Sequence, residues 1–141
     1  MQQRDLLKDQ IEQLGRVLGK AIAIITGSAA GANPVEILNI ANDQLREELG
    51  FEIEDLLPLE DEALTDYLTD KGFDPEKLEL LADYFYAAGR ILATTEETTA
   101  HVYLQKALQL LVIVEETTGT FSFERMEKAR EIEDRSERLQ E

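Results

Sequence analysis

Residues 78–116 read LELLADYFYAAGRILATTEETTAHVYLQKALQLLVIVEE, and the reading of this stretch decides the fold. Asp74-Pro75-Glu76 stands just upstream. An acidic cap, a Pro at the first helical position and a carboxylate in the first turn together make a helix start. The segment behind them is apolar on more than one side, which predicts a helix sandwiched between neighbours. Thr95-Glu96-Glu97 opens a second helix, apolar nearly all round in its second half, and Thr117-Thr118-Gly119 ends it. Val112-Ile113-Val114 is β-branched, but it continues the helical pattern without a turn signal and is read as helix. Leu81, Phe85, Leu108 and Leu111 are the expected core of this pair.

Upstream, Leu6, Leu7, Ile11, Leu14, Val17, Leu18, Ala21, Ile22 and Ile25 recur at intervals of three and four, the stripe of an amphipathic helix that stops in GSAAGAN. Asn33-Pro34 caps and starts a second helix, with Val35, Leu38, Ala41, Leu45 and Leu49 on its inner face and Gly50 as terminator. Pro58 breaks the following stretch into a short helical turn and a piece over Glu60–Lys71 that Gly72 closes. Downstream, a helix from about residue 122 to 141 carries a thin stripe of Met126, Ala129, Ile132 and Leu139 among dense charges and reads as a polar capping helix. The expectation is one all-α domain over residues 1–141, built of about six helices in stacked antiparallel hairpins.

Composition narrows the chemistry. The 141 residues include no Cys and one His, which removes disulfides, thiolate nucleophiles and Cys-ligated metals. The net charge of −16 argues against nucleic acid or an anionic membrane as partner. The amino end carries charges throughout and no apolar stretch of the secretory kind, and the most apolar run, Val102–Val114, is 13 residues long, short of the roughly 20 that cross a bilayer. A cytoplasmic location is expected.

Charge is uneven along the chain. Residues 36–79 hold 15 acidic and 3 basic side chains. This reads either as a docking surface for a basic peptide or protein or as a solvated face that keeps the protein dispersed. Glu47, Glu48, Asp61 and Glu62, with Tyr67 among them, are the candidate partner-binding residues of that region. Tyr84 and Tyr86 join them as the wall of a possible groove, the competing reading being core packing. Two residues apart on a helix, they point about 200° away from each other, so at least one should leave the main core.

The motifs of catalysis and cofactor binding are incomplete in this sequence. Gly15, Gly19 and Lys20 lack the spacing and the hydroxyl residue of a phosphate loop, and the two glycines read instead as a place where a neighbouring helix comes close. The acids around Gly72 do not keep the ligand order of a calcium-binding loop. His101 has Glu97 four residues before it and is expected in a surface ion pair. No catalytic residue, metal or cofactor is assigned. The alternatives carried are an enzyme using carboxylates or a divalent metal, and a structural homo-oligomer.

Ala82, Tyr84, Gly89, Ala100, Tyr103 and Ala107-Leu108 fall in places that resemble a tetratricopeptide-type helical hairpin, with Tyr103 one position early and no closing Pro. Ala41 and Ala107 lie 66 residues apart, about twice a repeat of roughly 34. The opening QIEQLGRVLGK is similar to the start of small bacterial proteins with helical repeat-like folds. The resemblance implies a scaffold or adaptor that binds a peptide or protein and performs no chemistry of its own.

Overall fold

The structure, a computed structural model, describes the backbone of residues 2–29 and 31–140 and the side chains of 8–29 and 31–139. The stripe positions Leu6 and Leu7 lie outside the described side chains. The described residues form seven α-helices and no strand: α1 (Gln2–Thr26), α2 (Pro34–Leu49), α3 (Ile53–Leu56), α4 (Asp61–Asp70), α5 (Pro75–Leu92), α6 (Glu97–Thr118) and α7 (Phe123–Gln140). The fold is all-α.

The helix starts follow their capping chemistry. Asn33 Oδ1 accepts from the backbone N–H of Val35 at 2.9 Å and of Glu36 at 3.3 Å, which satisfies amides that a helix start otherwise leaves unpaired. Asp74 Oδ1 does the same for Lys77 at 2.8 Å. Gly50 and Gly119 end α2 and α6 with φ of 76° and 64°, the left-handed region that favours glycine. α6 departs from expectation at its start: it begins at Glu97, and the cap Glu96 offers no side-chain bond.

Gln13 Nε2 donates to the Glu48 carbonyl, so α1 and α2 run antiparallel about the turn that joins them. α5 and α6 form the most closely packed pair. A Cβ at Gly89 would lie 2.6 Å from Leu104 Cδ2 and 3.3 Å from the Ala100 carbonyl, and only a residue without a side chain permits that approach. The Phe85 and Tyr103 rings meet edge to face with centroids 5.5 Å apart, a favoured aromatic geometry. Leu81, Phe85 and Leu111 are buried as expected, while Leu108 is half-buried at the edge of the core. Val35 also departs from its expected place, on the exposed side of α2.

α7 joins the rest through both apolar and polar groups. Of its expected stripe, Ile132 is buried and Ala129 and Leu139 are partly so. Ser136 is buried as well, its Oγ accepting from Gln105 Nε2 at 2.9 Å and lying 2.8 Å from His101 Nδ1. His101, which the spacing directed at Glu97, thus also reaches across to α7.

Candidate functional site

The sequence-derived candidates occupy separate places. Glu47 and Glu48 are exposed on α2, where Gln44 Nε2 donates to Glu48 Oε2. Asp61 and Glu62 occupy the first turn of α4, a position in which a carboxylate favours the positive end of the helix dipole. α2 packs on α1 and α5, whereas α4 packs on α6. The structure therefore does not gather the four carboxylates into one patch through helix packing. Tyr67 is half-buried between Phe51, 6.5 Å away in an edge-to-face contact, and Lys71, whose ammonium lies 5.6 Å above the ring. Burial raises the Tyr67 pKa, and Asp55 adds to the shift.

Tyr84 and Tyr86 separate as their angular spacing requires. Tyr84 is fully buried and its hydroxyl donates to Asn42 Oδ1. Burial, with a smaller contribution from Tyr103, pushes that hydroxyl far above its ordinary value of 10. A side chain with no exposed surface cannot touch a partner, so Tyr84 belongs to the core. Tyr86 lies on the opposite side of α5, half-buried beneath two guanidinium groups, with Arg90 5.5 Å and Arg135 5.9 Å from its ring centroid. Arg135 Nε donates to the Tyr86 hydroxyl at 3.0 Å.

Tyr86 belongs to a cleft of about 720 Å³ whose lining comes from α1, α5 and α7. The three helices run in the same direction. Gly15 on α1 faces Lys77, and Ile25 and Thr26 share a hollow with Ala87 and Arg90. Lys128 on α7 reaches Asp83 at 2.8 Å and Glu79 at 3.4 Å, and Arg135 reaches Tyr86. α5 contributes Leu80 and Ala87 as an apolar floor, joined by Ile22 from α1. Glu124, Glu127 and Glu131 line it from α7, all three exposed and spaced to share one face of the helix, with Lys128 and Arg90 also in the lining and Arg135 paired to Glu131 at 3.9 Å. Desolvation of Lys128 is outweighed by its two carboxylate partners, Asp83 first, so its pKa is raised. This ion pair fixes the α7 wall to the α5 floor.

Sequence reading missed a second arrangement. Lys106 is 5% exposed, and its ammonium donates to the Leu59 carbonyl at 2.8 Å and to Gln109 Oε1 at 2.6 Å. Gln109 Nε2 in turn reaches Asp61 Oδ1 at 2.9 Å. Burial lowers the Lys106 pKa, and Asp61 opposes that shift. The pair holds the turn around Pro58 against α6 and floors a hollow bordered by Glu60, Asp61, Glu62 and Asp66. The signal was present in the sequence: two polar residues three apart inside its most apolar run.

Among the described residues, no group of three or more His, Cys, Asp or Glu side chains is placed to hold a metal ion. No helix of the described residues is long and apolar enough to cross a membrane. Comparison with protein-family models, curated proteins and solved structures finds no match to this chain.

Proposed function

We propose that this chain is a non-catalytic protein-interaction domain, and that its cleft between α1, α5 and α7 holds a basic amphipathic segment of a partner protein. The observation that carries the reading is the cleft's apolar floor of Leu80, Ala87 and Ile22 beside the exposed Glu124 and Glu127 of α7, with Glu131 next to them and Lys128 turned to Asp83 on α5. An amphipathic segment offers the complement: apolar side chains for the floor and Lys or Arg for the wall. The antiparallel pairing of α1 with α2 and of α5 with α6 supports the likeness to stacked helical hairpins, with α7 as polar cap. In such folds the inner helices line the partner groove.

The acidic stretch 36–79 takes a supporting role in this reading. Its carboxylates attract a cationic partner over distances of a Debye length, raising the encounter rate, while the cleft sets the lifetime of the complex. A second reading, in which Asp61 and Glu62 dock the partner directly, is favoured by the hollow they border beside Lys106.

One titration separates the two. The probe is a fluorescent peptide of two copies of the heptad Leu-Lys-Lys-Leu-Leu-Lys-Leu, followed by anisotropy at low and moderate salt, with a scrambled peptide of the same composition as control. Changing Glu124, Glu127 and Glu131 to Gln should weaken binding about tenfold, at roughly 0.5 kcal/mol per exposed ion pair. Changing Glu47, Glu48, Asp61 and Glu62 to Gln or Asn should slow association and leave dissociation as it was. If binding collapses with the second set and survives the first, the cleft is the wrong face. Equal binding of the scrambled peptide contradicts a shaped site.

A further inference from the structure

Two arginines of a strongly acidic chain meet at one tyrosine. Arg90 from α5 and Arg135 from α7 lie 5.5 and 5.9 Å from the Tyr86 ring centroid. The ring attracts each guanidinium but carries no net charge to cancel either, and like charges brought to one place repel. Arg135 uses its Nε on the Tyr86 hydroxyl and approaches Glu131 only to 3.9 Å, beyond hydrogen-bonding distance. Among the described residues, the Arg90 guanidinium makes no hydrogen bond and no ion pair.

The same two side chains border a pair of adjoining hollows. One is completed by Ile25, Ala87 and Ile91 with the hydroxyl residues Thr26 and Ser28. The other adds Arg138, which also lacks an ion pair among the described residues. Neither lining holds an Asp or a Glu, in a chain that carries 30 of them against 14 Lys and Arg. The end of α1 does not account for this concentration of positive charge. Its carbonyls at Ile22 and Ile25 already accept from the hydroxyls of Thr26 and Ser28, at 3.0 and 2.8 Å.

We propose that Arg90 and Arg135 hold the head of a small phosphate monoester, flanked by Arg138, with the carbon body of the ester against Ile25, Ala87 and Ile91. This site is independent of the partner segment in the cleft and stands or falls without it. A guanidinium presents its N–H donors as a fork that fits two phosphate oxygens at once, and the whole fork of Arg90 is available. Two cations without full partners favour the nearly double negative charge of a monoester over the single charge of a carboxylate. The net charge of −16 opposes any anion at a distance. Salt screens that field beyond about 8 Å, whereas the guanidiniums act on the phosphate at contact. The Tyr86 ring orders both long side chains before the ligand arrives, so less freedom is lost on binding.

The probe is phenyl phosphate, titrated into the full ¹⁵N-labelled chain at fixed ionic strength. Inorganic phosphate, benzoate and phenol serve as controls for the body, the head and the charge. The Nε–Hε resonances of Arg90 and Arg135 should shift and saturate together, and the Tm should rise, as it does for a ligand bound only by the folded state. Inorganic phosphate and benzoate should bind more weakly than phenyl phosphate, and phenol should not bind. Arg90→Gln and Arg135→Gln should each weaken binding about tenfold, the scale of losing a charge-assisted hydrogen bond. Arg135→Lys, which keeps the charge and loses the fork, should recover only part of that loss. Without ligand, Arg90→Gln should melt no lower than the wild type, because one of two repelling charges is gone. Shifts that never saturate overturn the proposal, as does wild-type affinity in both Gln variants. Benzoate binding as tightly as phenyl phosphate would make this a carboxylate site and overturns it too. A ligand-free Arg90→Gln chain that melts lower, with phenyl phosphate unable to raise the wild-type Tm, would show the arginines to be fastenings of the fold and nothing more.

Discussion

The two sides of α5 are built on different principles. Toward α6 the helix presents Phe85 and Gly89, both fully buried or nearly so, and the seam closes by shape: a ring against Tyr103 and a backbone against Leu104. Toward α1 and α7 it presents Leu80, Asp83, Tyr86 and Arg90, and the walls are tied by Lys128 and Arg135. A seam closed by volume leaves no room for a guest. A face whose walls are tied at points of charge keeps a cleft open between them. One helix thus serves as the core of the fold and as the floor of the candidate site.

Substitutions on the two faces sharpen that contrast. Phe85→Ala should cost about 3–5 kcal/mol, the range for emptying a buried aromatic position. Tyr86→Ala, on the cleft side, should cost about 1 kcal/mol, because the ring is half-buried and its neighbours are solvated. Thermal or denaturant unfolding reads both. Equal costs would erase the distinction between the faces.

Two of the helix-interior glycines, Gly89 and Gly19, should respond with opposite sign. Gly89→Ala forces a methyl group into Leu104 and should destabilise by about 1–3 kcal/mol, with partial recovery when Leu104 is shortened as well. Gly19→Ala should stabilise by about 0.5–1 kcal/mol. Destabilisation at both positions would mean that Gly19 is packed after all.

Alkaline titration draws most on the buried side, where the Tyr84 shift is large, although burial also raises the pKa of Tyr67 and Tyr86. Burial raises the pKa of Tyr84 and Tyr103, while in the unfolded chain a tyrosine titrates near 10. Their contribution to stability is therefore complete below pH 10 and falls as the pH rises past it toward the folded-state values. Tyr84→Phe should cost about 1–2 kcal/mol at neutral pH, by loss of the bond to Asn42, and should flatten the loss of stability above pH 10. An unchanged alkaline slope would place the titrating tyrosines elsewhere. Lys128→Met should cost about 1 kcal/mol. Hydrogen exchange should quicken in α7 while α5 and α6 keep their protection.

The sequence carried the helices well because their signals are local. Asn33-Pro34, Asp74-Pro75 and the terminal glycines Gly50 and Gly119 act within a turn of themselves, and the structure uses all of them. It carried less of the site. The cleft is assembled from residues around 22, 83 and 127, and nothing in the periodicity of α1, α5 or α7 states which of their faces meet. The glutamates of α7 read as solvation because they are scattered through a polar helix, and they become a wall once Lys128 is paired with Asp83. The dense acids of 36–79 drew attention by number, yet they are spread over helices that pack on different neighbours. Lys106 was overlooked because a lysine in an apolar helix reads as an interruption, whereas a carbonyl brought from the distant turn at Leu59 makes it a fastening point.

The proposed binding of a partner on the open face of α5 is tested directly by chemical-shift mapping of the ¹⁵N-labelled chain with the Leu/Lys heptad peptide. The amides of Gly19, Ile22, Ala87, Glu127 and Glu131 should shift and saturate together, with those of Glu47, Glu48, Asp61 and Glu62 moving little once salt screens the long-range field. Saturating shifts confined to α2 and α4, with the cleft residues unmoved, would contradict the account.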